Sequence, residues 1–262
     1  MLDAHEISVS LGRNPVLDEA FLHAKAGEMT VIVGPNGSGK TTLLRAMTGD
    51  LACRGTVTLD GLDMRDLPAH ALAERRAVLP QSSQLAFPFT VHEVVRLGLI
   101  GRLALRADAA HLPARALERV GLTGYGGRFF QELSGGEQAR VQLACVLLQV
   151  WEPVLDGIPR WLFLDEPVAA LDIGHQLQVM NLARRFAQAG GGVVAVMHDL
   201  NLTAMFADRV VLMLDGRVLA HGAVAEVLTD QNLSHAYGCR LRVSSLPDPG
   251  AAFILPQSAE IA

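Results

Sequence analysis

Nine consecutive residues have the types and spacing to hold a chain of phosphates: Gly34-Pro35-Asn36-Gly37-Ser38-Gly39-Lys40-Thr41-Thr42. They fit G-x-x-x-x-G-K-[ST], and the flanks are the ones such a loop needs, apolar Thr30 to Val33 before it and a helix-forming run from Thr41 to Met47 after it. The glycines let successive N–H groups form a concave row, and the following helix aims its positive dipole end at the same point. A di- or triphosphate is the natural guest. Lys40 reaches the β- and γ-phosphates, and the Thr41 hydroxyl is expected on Mg²⁺.

A second group lies at strand ends. Trp161-Leu162-Phe163-Leu164 is an unbroken apolar run, as in a parallel strand covered on both faces, and it ends in Asp165-Glu166. Acids there sit where an open α/β sheet places its active site. Asp165 is expected to hold the Mg²⁺ shell, and Glu166 to act as base or water-positioning group for attack on the γ-phosphate. Two acids can also end a strand simply because strands end at the surface, but beside a phosphate loop the chemical reading prevails. His198 closes the next such run, Val193 to Met197, and is placed to sense the γ-phosphate. A third stretch, Leu133-Ser134-Gly135-Gly136-Glu137-Gln138, pairs glycines with a capping box and so makes another anion site at a helix start. One nucleotide does not need two cradles. Ser134 and Gly136, with Gly135 between them, are therefore expected to act in trans on nucleotide held by a second copy.

The elements that must position these groups alternate as in an α/β nucleotide fold. Ala4 to Leu11 reads as a strand, Gly12 to Pro15 as a turn, Phe21 to Lys25 as a further strand, and Thr56 to Leu59 as a strand before an Asp60-Gly61 turn. Ala77 to Gln81 is a short buried strand with a polar end. Beyond Gln81 the chain turns mainly helical: a Thr90-to-Glu93 capping box opens a helix through Leu97, a second helix lies between Asp108 and Val120, and a third follows Ser134 with Val141, Ala144, Cys145 and Leu148 on one face. Trp151 to Arg160 reads as a loop back to the sheet, followed by a helix from Gln176 to Ala189 and a hairpin about Asp215-Gly216. The predicted fold is a phosphate-loop NTPase core with a mainly parallel sheet, N-terminal antiparallel β elements and an inserted helical subdomain. Residues 1–81 and 151–246 form the core, 82–150 the insertion and 247–262 a weakly ordered tail.

Composition sets limits. At 262 residues and 50% hydrophobic the chain can bury a large core, yet no stretch nears the ~18 apolar residues of a spanning helix. With no export signal visible at its start, a cytosolic protein is expected. Cys53, Cys145 and Cys239 form no C-x-x-C pair and suggest buried thiols rather than disulfides or zinc. A net charge of −5 argues against a nucleic-acid surface.

Gly34 to Thr42, Gln81, Leu133 to Gln138, Trp161 to Glu166, Ala169 to Asp172 and His198 occur in the order of the Walker A, Q-loop, signature, Walker B, D-loop and switch-histidine motifs. The chain thus resembles the ATPase of an ABC transporter over most of its length. That resemblance implies ATP and Mg²⁺ as cofactors, with Gln81 joining Thr41 and Asp165 about the metal. It implies a homodimer closing over two Mg-ATP, docked on two membrane permease subunits through a groove near Gln81. The place implied is the cytoplasmic face of a bacterial inner membrane, bound peripherally. Leu79-Pro80-Gln81, then Leu85 to Val91, and the Trp/Pro loop before Walker B look like ATPases of haem importers, in the group that includes ferric-siderophore and cobalamin importers. A periplasmic haem-binding protein would be an indirect partner.

Two positions depart from the family pattern. Leu11 stands where an aromatic residue usually stacks on adenine, and Val168 and Ala169 stand where polar residues usually follow Walker B. A soluble ABC protein of translation or DNA repair is a rival, but it would generally carry two ATPase domains or a coiled coil. A small-molecule kinase would leave the Ser134 motif without a role.

Overall fold

The computed structural model describes residues 1–81, 87–246, 250 and 252–259. Two residues quoted for the haem-importer resemblance, Leu85 and Ala86, lie outside the described residues, as do Ser82 at the expected start of the insertion and parts of the 247–262 tail.

The chain begins as an antiparallel pair, Leu2–Leu11 (β1) and Asn14–Ala24 (β2). The turn is only Gly12-Arg13; Asn14 and Pro15, expected in it, belong to β2. Proline is tolerated because β2 is the sheet's edge, where one face of the ladder needs no donor. Met29–Val33 (β3) leads into the loop and Lys40–Met47 (α1) leaves it. Arg54–Leu59 (β4) and Leu62–Asp63 (β5) complete a sheet of order β2-β1-β4-β5. Ala69–Arg75 (α2), which no periodicity announced because it buries no residue, precedes Arg76–Leu79 (β6).

Val91–Arg96 (α3), Leu112–Arg119 (α4) and Gly135–Gln149 (α5) follow and pack on one another. Both expected capping boxes are formed, at Thr90 with Glu93 and at Ser134 with Glu137. The stretch from Trp151 to Arg160 is not a plain loop. Val154–Leu155 (β7) and Ile158–Pro159 (β8) pair about an Asp156-Gly157 turn with φ of 51° and 77°, and Asp-Gly is a strong hairpin signal. Arg102 and Arg106 pin this hairpin through ion pairs to Asp156 and Glu152.

The remaining elements are Trp161–Asp165 (β9), Ile173–Gln188 (α6), Gly192–Val196 (β10), Leu200–Phe206 (α7), Arg209–Leu214 (β11), Arg217–Ala223 (β12), Val224–Val227 (α8) and Asp230–Tyr237 (α9). The main sheet runs β12-β11-β3-β10-β9-β6, parallel except for β12. Every residue of β3, β9 and β10 is buried, because side chains alternate between two cores. Leu162, Leu164, Val193 and Ala195 face the helical side; Trp161, Phe163, Val194 and Val196 face α1 and the N-terminal sheet. Within the tail expected to be weakly ordered, Pro256 is buried and Gln257 donates to the Asn201 carbonyl of α7 at 3.4 Å.

Candidate functional site

The phosphate loop sits between the buried end of β3 and the first turn of α1. Gly34 has φ 149°, and a Cβ there would lie 2.3 Å from the Met213 carbonyl of β11; Gly39, the N-cap of α1, has φ 96° and touches Leu17. Only glycine fits the first of these without moving backbone. Asn36 and Gly37 form the exposed tip, and Pro35 accepts from the Ser38 amide at 3.2 Å. Lys40 is buried. Its Nζ donates to the Gly34 and Pro35 carbonyls, each at 2.9 Å, and burial lowers its pKa while Glu166 and Asp165 oppose that shift. Thr42, the last residue of the motif, is half-buried in the first turn of α1.

Parallel order brings the acids to the same place. β9 lies beside β10, and β10 beside β3, so the C-terminal strand ends converge next to the loop. Asp165, 3% exposed, accepts from the Thr41 hydroxyl at 3.0 Å. Burial pushes its carboxyl above the usual range, and the Thr41 hydrogen bond opposes this. Glu166 turns the chain out of the strand at φ 52°, a conformation that costs a non-glycine residue of order 1 kcal/mol. Its two carboxylate oxygens are shared out: Oε1 meets His198 Nε2 at 2.5 Å, and Oε2 accepts from Gln81 Nε2 at 3.0 Å. Register explains the second contact. Leu79 pairs with Leu164, so Gln81 stands two residues further along beside Glu166. Asp199, next to His198, caps α7 by accepting from the Asn201 and Leu202 amides, which fixes the start of the switch segment.

The structure therefore gathers Gly34 to Thr42, Gln81, Asp165, Glu166 and His198 at one edge of the sheet. Gln81 is expected on Mg²⁺, but its amide nitrogen is on Glu166. Ser134 is engaged in its own capping box: Oγ accepts from the Glu137 amide at 3.3 Å, and the Ser134 amide and hydroxyl donate to Glu137 Oε2 at 2.8 Å, while its carbonyl accepts from the Gln138 amide at 2.9 Å. Ser134 and Gly135 are exposed. Gly136 is close to the segment after Walker B, and a Cβ on it would stand 3.2 Å from the Ala170 carbonyl. Leu11 is 52% exposed. The Val16 carbonyl would stand 3.2 Å from a Cβ on Gly39.

Comparison with known proteins places the chain in a family. The family model described as ABC transporter matches residues 17–169. A hemin import ATP-binding protein HmuV from Jannaschia sp. (strain CCS1) is 61% identical over 99% of this chain and 95% of its own. Its namesake from Mesorhizobium japonicum is 54% identical over 99% of both chains. Among solved structures, an ATP-binding cassette of an ABC transporter in its ADP conformation superposes with a TM-score of 0.76 at 24% identity, covering 90% of this chain and 98% of that one. A dimeric cassette in a post-hydrolysis state, bound to ADP and Pi, gives 0.73 at 26% identity over 86% and 99%. Motif order, strand-end geometry and full-length likeness converge, and the chain belongs to the ABC transporter family as an ATP-hydrolysing subunit.

Proposed function

We propose that this chain energises uptake of haem as the ATPase of an ABC importer, working as a homodimer under two permease subunits at the cytoplasmic face of the inner membrane. The names of its relatives support haem as cargo. Among the described residues no helix is long and apolar enough to cross a membrane, which fits a peripheral subunit. A periplasmic haem-binding protein would deliver the cargo to the permease side.

The observation that carries the chemistry is the Glu166 carboxylate held between Gln81 and His198 beside Asp165 and the loop. Mg²⁺ suits the donors present, since Thr41 and the buried Asp165 offer hard oxygens and Asp165 has no cationic partner within ion-pair distance among the described residues. Thr41 and Asp165 would hold the metal, with the Gln81 carbonyl oxygen as a further donor. Bound there, it would neutralise charge on the β- and γ-phosphates. Lys40, pre-placed by two carbonyls, moves its ammonium onto the same phosphates. Glu166 orients the water and takes its proton as the water oxygen bonds to the γ-phosphorus and the bond to ADP breaks. His198, whose Nε2 meets Glu166 Oε1 here, would turn that nitrogen to the γ-phosphate once nucleotide is bound.

Glu166→Gln tests this. It should bind ATP normally, lose at least about a hundredfold in turnover and accumulate as an ATP-bound dimer on size-exclusion chromatography. Hydrolysis near wild type with only monomer present would remove Glu166 from the role. Haem-dependent stimulation of the ATPase in vesicles with its co-purified permease tests the cargo, and equal stimulation by a ferric siderophore alone would replace it.

A further inference from the structure

A hairpin turn that belongs to none of the motifs ties the phosphate loop from outside. Leu214 pairs with Arg217 across the β11–β12 hairpin, and Asp215-Gly216 turns between them with φ of 48° and 78°. A two-residue turn leaves the peptide groups of its second residue free of the ladder. Those of Gly216 are both used elsewhere: its amide donates to the Ser38 carbonyl at 3.1 Å, and its carbonyl accepts from the Asp18 amide of β2 at 3.1 Å. The first bond matters because Ser38 is buried and precedes Gly39, the N-cap of α1, so its carbonyl lies outside the helix's own ladder. The stem of the turn is fixed as well. Arg217 Nε donates to Asp18 Oδ2 at 3.0 Å, and the guanidinium closes an ion pair on the same carboxylate.

Glycine is required at 216 by this close approach more than by the turn. A left-handed φ admits asparagine or aspartate, as Asp215 shows, but a Cβ on Gly216 would stand 2.4 Å from the Val16 carbonyl. The same stretch of β2 also closes on the loop, since a Cβ on Gly39 would lie 2.7 Å from the Leu17 side chain. We propose that Gly216 is a positioning residue for the phosphate loop: its amide fixes the Ser38 carbonyl, and with it the direction of the peptide groups from Ser38 to Lys40, while Asp18 and Arg217 hold the turn against β2. Gly216 acts through the loop and not on phosphate itself. The inference rests on Gly34 to Thr42 being the phosphate site.

Gly216→Ala tests this, with Gly157→Ala as control. Gly157 holds the same place in the Asp156-Gly157 turn of β7 and β8, with φ 77° and nothing within 4 Å of a Cβ, so it carries the backbone strain without the contact. In the full chain, Gly216→Ala should raise the Kd for ATP at least about tenfold, as expected when a buried carbonyl loses its partner, while Gly157→Ala stays within about twofold of wild type. A folded Gly216→Ala that binds ATP within about twofold of wild type would overturn the proposal. So would equal weakening in both variants, since strain anywhere in the chain would then suffice. Where Gly216→Ala does not fold, Arg217→Ala decides at an exposed side chain: its Kd should rise about two- to fivefold, the range an exposed ion pair spans, and the charge swap Asp18→Arg with Arg217→Asp should bring it back. An unchanged Kd in Arg217→Ala, or no recovery in the swap, would then overturn the proposal. Lys40→Ala is measured alongside. Retained ATP affinity in that variant would strike the phosphate-loop reading itself, whereas its loss beside an unaffected Gly216→Ala strikes only the role of Gly216.

Discussion

Lys40 and Asp165 are oppositely charged, buried in the same pocket, and both shifted towards their neutral forms by desolvation. An active site that must receive charged phosphates holds charged groups away from water at a cost to the fold. For Asp165 the sign is definite. Its folded-state pKa is raised, so its contribution to stability is present below the ordinary carboxylate range and is lost as pH rises through the folded value. Asp165→Asn should therefore match wild type in thermal midpoint near pH ~4 and exceed it at pH ~7, by about 2–4 °C if about 1 kcal/mol is relieved, while metal-dependent hydrolysis disappears. Scanning calorimetry across that range checks it; a gain that is equal at both pH values would mean that desolvation is not the cause. The identities of these residues were legible because phosphate chemistry dictates amine, hydroxyl and carboxylate at fixed places. The sharing of Glu166 between Gln81 and His198 was not legible. It depends on the register of β6 against β9 and on the adjacency of β9 and β10, and local periodicity does not encode either.

Elements were readable where a single physical signal dominates. The apolar runs of β9 and β10 and the capping boxes of α3 and α5 each rest on one local rule, and each element stands close to where it was expected. The failures have local causes too. The β7–β8 hairpin hides in a stretch with two prolines, and its strands are two residues long, too short to alternate. The helices α2, α7, α8 and α9 are four to eight residues long, and α2 buries nothing, so no stripe develops. The loop between β3 and α1 is the opposite case, because its backbone demands a residue type. Gly34→Ala combines an unfavourable φ with a Cβ placed 2.3 Å from the Met213 carbonyl, so backbone must move. It should lower the thermal midpoint by at least ~5 °C and abolish ATP binding. Wild-type affinity in a titration with a fluorescent ATP analogue would show that the loop tolerates another path.

At the scale of the whole molecule, one chain carries two groups of motif residues that it does not join. Gly34 to Thr42, Gln81, Asp165, Glu166 and His198 share one edge of the sheet, while Ser134 and Gly135 are exposed at the start of α5, where Ser134 is engaged in its own capping box. We propose that this exposed helix N-terminus takes an anion held by a second copy, which twofold symmetry would supply twice. Each site of the dimer would then consist of one chain's loop and the other chain's Ser134. That arrangement predicts complementation between two inactive proteins. Ser134→Arg blocks the face a chain offers its partner and leaves its own loop intact; Lys40→Ala cripples a chain's loop and leaves its Ser134 face intact. In a mixed dimer, the loop of the Ser134→Arg chain meets the intact Ser134 of its partner, so one of two sites is whole. Random pairing at equal amounts makes half the dimers mixed, and about a quarter of all sites become competent. ATPase activity of the mixture should therefore rise from near zero to roughly a quarter of wild type if the sites act independently, and follow the product of the two mole fractions as their ratio is varied. Mixed dimers verified by differential tags that remain inactive at every ratio would mean either that both sites must fire together or that Ser134 serves its own chain. Linking one doubly mutated chain to one wild-type chain separates these. In trans such a dimer has the defective loop at one composite site and the blocked face at the other, so neither is whole; in cis both defects fall within the mutant chain's own site and the wild-type chain's site is intact, so activity beside silent mixed dimers would place Ser134 in cis, whereas inactivity would favour obligatory coupling.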